Sequence, residues 1–117
     1  MKQYDKGLRG EAQAEEYLRK MGMLCLERRF RGEDGEIDLI MQDGETIVMV
    51  EVKYRPCGYA GDGLVAVTLA KQKRMVHAAL AFLAQREWMN RPVRFDVVEI
   101  TSMGILHIPN AFTPGTR

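Results

Sequence analysis

The sequence predicts an α/β protein, an α+β sandwich in which a mixed β-sheet is flanked by helices in the order αβββαββ. Two longer segments repeat apolar residues with the spacing of a helix, and five shorter segments have the apolar pattern of strands. The chain has 117 residues, which suits a single domain over residues 1–117 with a hydrophobic core. No apolar run approaches the roughly 20 residues that cross a bilayer, so we expect no membrane association.

The first half of the chain predicts one helix and three strands. The helix over about residues 6–21 ends at Gly22, because glycine readily adopts the left-handed backbone that closes a helix. A strand over Leu24–Arg31 follows, and residues 32–35 have the composition of a turn. The next two strands form a hairpin, because Asp-Gly at 43–44 is a strong signal for a tight turn.

The second half predicts a helix and two strands after a central strand. Residues 47–50 are apolar on both faces, as expected of a buried central strand. A glycine-rich loop over 54–67 follows the charged end of that strand and is placed to fold over it. A second helix is predicted over about 68–88, with Thr68 as its N-cap. Two further strands complete the sheet, over 93–100 and 105–108.

The hairpin carries charge on one face. With a two-residue turn at 43–44, the numbers of paired residues would sum to about 87, so Asp38 would lie opposite Met49. Glu36 would lie opposite Glu51. Because side chains alternate between the faces of a strand, four charged side chains are expected to share one face. They are Glu36, Asp38, Glu51 and Lys53.

Three carboxylates on one sheet face repel each other, so the cluster indicates compensation by a divalent cation or by a raised pKa. Carboxylate oxygens suit hard cations, Mg²⁺ above all. Lys53 is expected on the same face as these carboxylates, where it can hold or deprotonate a water and offset charge on a phosphate. The pattern is typical of metal-assisted phosphodiester hydrolysis. The alternative is a solvated hairpin face of mixed charge.

Charge is segregated along the chain although the net charge is only +1. Residues 32–51 contain seven acids and no base, whereas the segments 1–31 and 52–94 are both basic. If the basic segments surround the acidic one in space, the pattern favours a cation site within a phosphate-binding surface. The alternative is that each block is a solvated face. The small net charge argues against a protein that coats nucleic acid without specificity.

Polar residues also interrupt the apolar faces of both helices. Glu11 and Glu15 fall within the apolar arc of the first helix, where a glutamate is costly unless it is paired or coordinated. The alternative to a site role is pairing with an arginine of the first strand, or extension of the side chain to the surface. The arc is formed by Leu8, Ala12, Ala14, Leu18 and Met21.

Gln72 lies in the apolar arc of the second helix, within its first turn. Its amide can reach toward a site at the helix N-terminus, which favours anions, or it can cap a nearby backbone group. Around it, Lys71, Lys73 and Arg74 can hold flanking phosphates or keep the helix soluble. The arc consists of Leu69, Met75, Val76, Ala79, Leu80, Phe82 and Leu83.

The residues after the charged strand are a weaker indication of nucleic-acid binding than the charged cluster itself. Tyr54, Arg55 and Tyr59 can stack on or contact a strand, or can pack within the loop. Cys25 and Cys57 lack the spacing of a zinc site or a Cys-x-x-Cys motif, and they predict reduced thiols in a cytoplasmic protein.

The order of these polar residues resembles the PD-(D/E)XK nuclease superfamily, with an acid on the first helix, Asp and Glu-x-Lys on adjacent strands, and a glutamine on the next helix. Within it, the chain is similar to the YraN family of small bacterial endonuclease-like proteins. The match covers nearly the whole chain, and its most specific part is Gly-Glu-Ile-Asp-Leu-Ile at 35–40 followed by Val-Glu-Val-Lys at 50–53. It also includes Gly10-Glu11, Ala14, Tyr17-Leu18, Arg55, Lys71, 94–96 and 110–112.

The resemblance implies a restriction-endonuclease-like core and a Mg²⁺ site, with Mn²⁺ as an alternative ion. Asp38 and Glu51 would ligate the ion together with the carbonyl of Val52. Lys53 would position the attacking water and stabilise the charge that develops on the phosphate.

Two helix residues complete the implied catalytic set. Glu11 would orient water or a second cation, and Gln72 would support the scissile phosphate or Lys53. One departure from the family is Arg29, at a position after strand one where asparagine is expected.

The expected function is therefore Mg²⁺-dependent hydrolysis of nucleic acid, with DNA favoured over RNA. A chain this small has little surface for reading base sequence, so selectivity for branched or flapped DNA is expected, and cutting both strands would need a homodimer. The alternative is a noncatalytic nucleic-acid-binding or adaptor module that keeps the fold. A third reading is a purely structural ion-pair network. Arg55, Lys71 and Arg74 are the expected nucleic-acid contacts.

Overall fold

A computed structural model describes residues 3–56 and 67–114 and has the predicted order αβββαββ. Most of the predicted glycine-rich loop, including Cys57 and Tyr59, lies outside the described residues. Within the described part, no helix is long and apolar enough to span a membrane. The elements are α1 (Gln3–Lys20), β1 (Leu24–Arg31), β2 (Glu36–Asp43), β3 (Thr46–Arg55), α2 (Leu69–Arg86), β4 (Val93–Thr101) and β5 (Gly104–Phe112).

The five strands form one mixed sheet in the order β1-β2-β3-β4-β5. The neighbours β3 and β4 are parallel, and the other neighbouring pairs are antiparallel. A parallel pair needs a long crossover, and α2 lies within the one that joins β3 to β4. The predicted α+β class and element order are therefore confirmed, although β5 extends well beyond the predicted 105–108.

The two helices pack on opposite faces of the sheet, and β3 is buried between them. Ile47 and Met49 of β3 belong to the core under α2, whereas Val48 and Val50 belong to the core under α1. The prediction that the apolar run 47–50 forms a central strand covered on both faces is confirmed.

The buried stripes of the helices differ in part from the predicted arcs. On α1, Ala14 and Leu18 are buried, but Leu8, Ala12 and Met21 are exposed. The contact is narrower than predicted because small residues let α1 approach the sheet closely along one line. On α2, Leu69 and Leu80 are exposed, and Ala78 is buried instead. The stripe of α2 follows the i, i+3, i+4, i+7, i+8 spacing and consists of Met75, Ala78, Ala79, Phe82 and Leu83.

The close approach of α1 depends on Gly10. A Cβ atom at this position would lie 2.6 Å from the Cβ of Tyr54 on β3, well inside van der Waals contact. Helix propensity alone predicts that Gly10→Ala stabilises the protein by about 1 kcal/mol. We expect the opposite, a loss of about 1–2 kcal/mol, because the added methyl forces α1 away from β3.

Chemical denaturation of Gly10→Ala and of a control, Ala12→Val, measures this effect. Ala12 lies on the exposed side of the same helix, so its change is expected to cost only the lower helix propensity of valine, at most about 0.7 kcal/mol. A gain in stability for Gly10→Ala would show that the contact with Tyr54 relaxes without cost.

Both predicted helix signals are confirmed. Gly22 has φ +98°, and the N–H of Met23 donates to the carbonyl of Leu18 at 3.1 Å, which closes α1. Thr68 caps α2, because its hydroxyl oxygen accepts the N–H of Lys71 at 3.2 Å.

The register of the β2–β3 hairpin differs from the prediction by two residues. Asp43 pairs with Thr46, so paired residue numbers sum to about 89, and the turn is Gly44-Glu45 rather than Asp43-Gly44. Gly44 has φ +61°, which places the glycine at the first central position of the turn, as in type II′. The described ladder ends at the pair Leu39–Val50, and the next position in this register would bring Asp38 opposite Glu51.

Candidate active site

The side-chain alternation of β2 breaks at Asp38. Ile37 belongs to the core under α2 and Leu39 to the core under α1, although residues two apart on a regular strand share one face. The carboxylate of Asp38 accepts the backbone N–H of Val52 at 2.8 Å. In a continued ladder the pairing partner of Val52 would be Ile37. The Asp38 side chain therefore takes over a backbone position where β2 and β3 separate.

Glu51 is buried on the α2 side of β3 and contacts two lysines. Its side chain is 5% exposed. Lys53, two residues further along β3, places Nζ 3.0 Å from Oε2 of Glu51. Lys71, in the first turn of α2, makes an ion pair with the same oxygen. One buried carboxylate oxygen thus has two ammonium partners from different elements.

The pKa of Asp38 is raised to about 8. Burial is the largest cause, and the charge of Glu51 is the next, while the N–H of Val52 opposes both. Glu11 adds a smaller repulsion. Asp38 and Glu51 therefore lie close enough to repel each other in a poorly solvated setting, as the sequence predicted for the carboxylates of this hairpin.

The two lysines respond differently to the site. Burial, together with the neighbouring Lys71, lowers the pKa of Lys53. For Lys71 burial acts in the same direction, but the bond to Glu51 outweighs it and raises the pKa. Lys53 is thereby the ammonium whose proton is more easily lost.

Glu36 does not belong to the cluster. It is exposed, and its carboxylate pairs with Arg31 of β1 at 3.1 Å. The predicted pairing of Glu36 with Glu51 is wrong, because the two-residue shift of register moves Glu36 beyond the end of the β2–β3 ladder. The β2–β3 hairpin therefore contributes two carboxylates to the cluster, those of Asp38 and Glu51, rather than three.

Both glutamates of α1 pair with arginines of β1, which was the alternative reading of their position. Glu15 accepts hydrogen bonds from Arg28 at 2.6 and 2.8 Å, and these lower the pKa of Glu15 despite burial. Glu11 accepts one from Arg29 at 2.7 Å. Glu11 alone of the two also influences Asp38, so it lies at the margin of the site.

Gln72 makes the contact expected of a capping residue. Its Nε2 donates to the carbonyl of Val67 at 3.1 Å, just before α2. The amide thus hydrogen-bonds a backbone carbonyl at the start of α2. This is the predicted capping role, and it differs from the predicted contact with the site. A role for Gln72 toward a phosphate or Lys53 stays a prediction.

A groove of about 460 Å³ runs from Lys71 along the N-terminal half of α2. Lys71 and Arg74 form one side, and the β1–β2 turn forms the other. A Cβ at Gly35 would lie 2.6 Å from the carbonyl oxygen of Arg74, so the turn contacts the helix backbone directly. Arg55 lies elsewhere, at the end of β3 opposite Thr101 of β4. The groove is lined by Arg31, Gly32, Glu33, Gly35, Glu36, Lys71, Arg74 and Met75.

The donor atoms around Asp38 and Glu51 determine whether the implied cation fits here. Within residues 3–56 and 67–114, no group of three or more His, Cys, Asp or Glu side chains is placed to hold a metal ion. The carboxylates of buried Glu51 and half-buried Asp38 nevertheless repel each other, and an ion between them would relieve that repulsion. Mg²⁺ usually binds one or two carboxylates, several waters and a substrate phosphate. The pair fits such an open site and does not form a closed protein cage.

Two residues next to Glu51 and Lys53 were not predicted from the sequence to belong to this cluster. Lys71 was expected to contact nucleic acid, and its ion pair with Glu51 was not foreseen. Glu99 is fully buried on β4, and the parallel register brings it beside Lys53. The available signal was a single charge within the apolar run 97–100.

A second polar cluster lies on the α1 side around buried Asp96. Its carboxylate accepts hydrogen bonds from Arg94 at 3.1 Å and from the N–H of Asn110 at 2.9 Å, and it lies 2.7 Å from Nε2 of His107. Asp96 thus pairs with an arginine two residues away on the same strand. His107 also makes an edge contact with Tyr17 of α1, so the cluster joins β4, β5 and α1.

The described residues form an α+β protein with a mixed five-stranded sheet in the order αβββαββ, and Asp38, Glu51 and Lys53 lie together where β2 and β3 separate. Comparison of the sequence with protein-family models finds a match over residues 10–100 to the family described as "Uncharacterised protein family UPF0102". The chain belongs to this family, and the resemblance to the YraN proteins is confirmed.

Curated relatives match the chain over nearly its whole length. A UPF0102 protein of Geobacter metallireducens is 46% identical over 110 residues, which cover 91% of this chain and 90% of the relative. A UPF0102 protein of Yersinia enterocolitica is 41% identical over 114 residues, with coverage of 96% and 97%. One of Herminiimonas arsenicoxydans is 46% identical over 105 residues, with coverage of 90% and 84%.

Proposed function

We propose that this chain is a Mg²⁺-dependent nuclease that hydrolyses phosphodiester bonds in DNA. The observation that carries the proposal is the meeting of Asp38 with Glu51 and its lysines where β2 and β3 separate. Two carboxylates that repel each other beside an ammonium form a site suited to a hard cation and a phosphate. Mn²⁺ has similar ligand preferences and is the natural substitute.

In this proposal Asp38, Glu51 and the carbonyl of Val52 hold the cation, which supplies charge stabilisation at the phosphate when it is bound. Lys53 hydrogen-bonds and orients the attacking water, and its lowered pKa favours proton exchange with that water. Glu11 approaches from α1 and accepts a hydrogen bond from a neighbouring water. The N–H of Val52 keeps one oxygen of Asp38 fixed.

The substrate we favour is branched or flapped DNA. The groove beside the cluster presents Lys71 and Arg74 to phosphates, and contacts to phosphates fix position without reading sequence. Arg55 is a further proposed phosphate contact. A homodimer would supply the second centre needed to cut both strands of a duplex.

The test is hydrolysis of labelled branched, flapped and single-stranded substrates in Mg²⁺ or Mn²⁺. We expect cation-dependent nicking by the wild type and a loss of about a hundredfold in Lys53→Ala, because one charge-stabilising donor is removed. Lys20→Ala is the matched control, since Lys20 is exposed at the end of α1 and pairs with Glu16 on the surface. Absence of cleavage of every DNA and RNA form by the highly purified wild type would refute the enzyme proposal.

A second candidate is a noncatalytic nucleic-acid-binding or adaptor module. The observation that favours it is that Glu51 already has two lysine partners, which compensate its charge without a metal ion. In that case nucleic-acid binding survives Glu51→Ala or improves, because negative charge is removed. Calorimetry with Mg²⁺ separates the candidates, since a module without a used site gives no heat that depends on Asp38 and Glu51.

A further inference from the structure

The feature behind this inference is the single carboxylate oxygen shared by two ammonium groups. Oε2 of Glu51 contacts Nζ of both Lys53 and Lys71, and the Glu51 side chain is buried. On a solvated surface, such an ion pair contributes little to the free energy of the protein. In a buried site each ammonium is a strong local charge, so anything else that binds this oxygen must compete with it.

The two lysines are not equivalent. Lys53 is fixed on β3 with a side chain that is 17% exposed, whereas the Lys71 side chain is 32% exposed and comes from the first turn of α2. Only Lys71 of the two also lines the groove that continues past Arg74. Because the stem of a lysine is long and flexible, the ammonium of Lys71 can reach both Glu51 and a phosphate in that groove.

We propose that Lys71 is an internal counter-ion of Glu51 that a divalent cation displaces, and that the displaced ammonium binds a phosphate of the nucleic-acid strand in the adjoining groove. This inference rests on the proposed function. It assigns Lys71 a positioning role between cation and strand, distinct from a fixed contact to nucleic acid.

Charge balance supports the exchange. A divalent cation at Asp38 and Glu51 repels an ammonium held on the same oxygen, and the open side of Lys71 is the groove. The move replaces one charge-assisted hydrogen bond, to a carboxylate, with another, to a phosphate, and no proton is transferred. Because the cation and the strand then favour the same position of Lys71, each strengthens binding of the other by the same factor.

The first measurement is calorimetric titration of Mn²⁺ into the protein without nucleic acid. Lys71→Gln is expected to bind Mn²⁺ about tenfold more tightly than the wild type, within the usual range of coupling between sites. A residue with only a structural role would not tighten binding when removed. Lys73→Gln, on the exposed side of the same helix, is the matched control and is expected to keep the wild-type affinity.

The second measurement is binding of a labelled flapped DNA by fluorescence anisotropy, with and without saturating Ca²⁺, over a range of salt concentrations. The integrity of the DNA is checked on a gel. In Ca²⁺ the wild type should show a salt dependence steeper by about one phosphate contact than Lys71→Gln. In a chelator the two proteins should bind DNA alike, because Lys71 of the wild type is then held by Glu51.

The outcomes separate the inference from the proposed function. Mn²⁺ affinity that is unchanged or weaker in Lys71→Gln, while the wild type binds through Asp38, overturns the counter-ion role alone. A wild type without Asp38-dependent cation binding overturns both. Lys71→Arg keeps the charge and tests the inference if the glutamine variant does not fold. If cation binding and DNA binding still strengthen each other in Lys71→Arg, the charge exchange is supported. If they no longer do, it is contradicted.

Discussion

Replacing Asp38 with asparagine is expected to reduce cation-dependent hydrolysis by about a thousandfold or more and to stabilise the cation-free protein. The loss of activity follows because the proposed ligand charge is removed. A bound metal ion contributes several kcal/mol of charge stabilisation in the transition state, and each 1.4 kcal/mol is a factor of about ten in rate. Calorimetry should also show no binding of Mg²⁺ by the variant.

The gain in stability has a separate physical cause. Burial and the charge of Glu51 raise the pKa of Asp38 to about 8, well above the value for an unfolded chain. A carboxyl whose pKa is higher in the folded state opposes folding at pH values above its unfolded pKa, so at pH 7 Asp38 is a destabilising group. Asparagine keeps an oxygen that accepts the N–H of Val52 and removes the charge. We expect a gain of about 1 kcal/mol and a rise in Tm of about 4 °C.

Thermal unfolding at pH 7 without divalent ions checks this prediction. Asp34→Asn is the control, because this substitution makes the same chemical change at an exposed turn position. A lower Tm for Asp38→Asn, with no effect on any ligand, would instead identify the acids as a structural ion-pair network.

The second large effect is expected at Asp96. Removal of this carboxylate by Asp96→Ala leaves Arg94, His107 and the N–H of Asn110 without their shared acceptor in a buried setting. Breaking a buried ionic pair by removing one partner costs about 3–5 kcal/mol. That loss is a large part of the stability of a domain, since folded domains are stable by only about 5–15 kcal/mol.

Denaturant unfolding of Asp96→Ala and Asp43→Ala measures the difference. Asp43 is half exposed and pairs with the same arginine, Arg94, at 3.2 Å. Exposed ion pairs contribute about 0–1 kcal/mol, so the Asp43 variant is expected to lose no more than that. Equal losses in the two variants would show that the Asp96 cluster contributes little beyond its arginine.

The stability contributed by Asp96 is also expected to depend on pH. Burial would raise the pKa of Asp96, but the bonds from His107, Asn110 and Arg94 outweigh it and lower the pKa. The unfolded chain therefore binds the proton more readily than the folded protein. The contribution is complete above the unfolded pKa, about 3.9, and is lost as the pH falls through the lower folded value. Asp96→Asn should remove this acid-dependent part of the unfolding free energy.

Periodicity predicted the elements well because each helix or strand contacts the core with a regular spacing. The apolar run 47–50 favoured a strand covered on both faces, and Gly22 and Thr68 were local signals at helix ends. The register of the hairpin was predicted wrongly by two residues, since both Asp43-Gly44 and Gly44-Glu45 can form a two-residue turn. The choice depends on which turn type the glycine adopts, which local composition does not determine.

The site was predicted in part for the same reason. Asp38, Glu51 and Lys53 could be placed together because they lie on one hairpin, and an error of two residues does not change the face. The pairing of Glu11 with Arg29 and of Glu15 with Arg28 depends on how α1 crosses β1, so it remained one of two open readings. Lys71 could not be assigned to Glu51, because the sequence does not indicate where the crossover places the start of α2.

The backbone of Arg29 explains the expectation of asparagine at this position. Arg29 has φ +50°, in the left-handed region that asparagine tolerates better than most other residues. Arginine accepts that strain here and pairs with Glu11. Arg29 therefore adds a contact from β1 to Glu11, a residue whose charge acts on Asp38.

The parallel pairing of β3 with β4 also has a consequence for the order of folding. Contacts within the β1–β3 hairpins are close in sequence, whereas the β3–β4 pair must wait until the long connection that contains α2 has closed. Asp38 and Glu51 can therefore meet before Lys71 arrives. During synthesis and refolding, the chain is expected to pass through a stage in which its acidic pair and Lys53 are exposed to ions before Lys71 is in place.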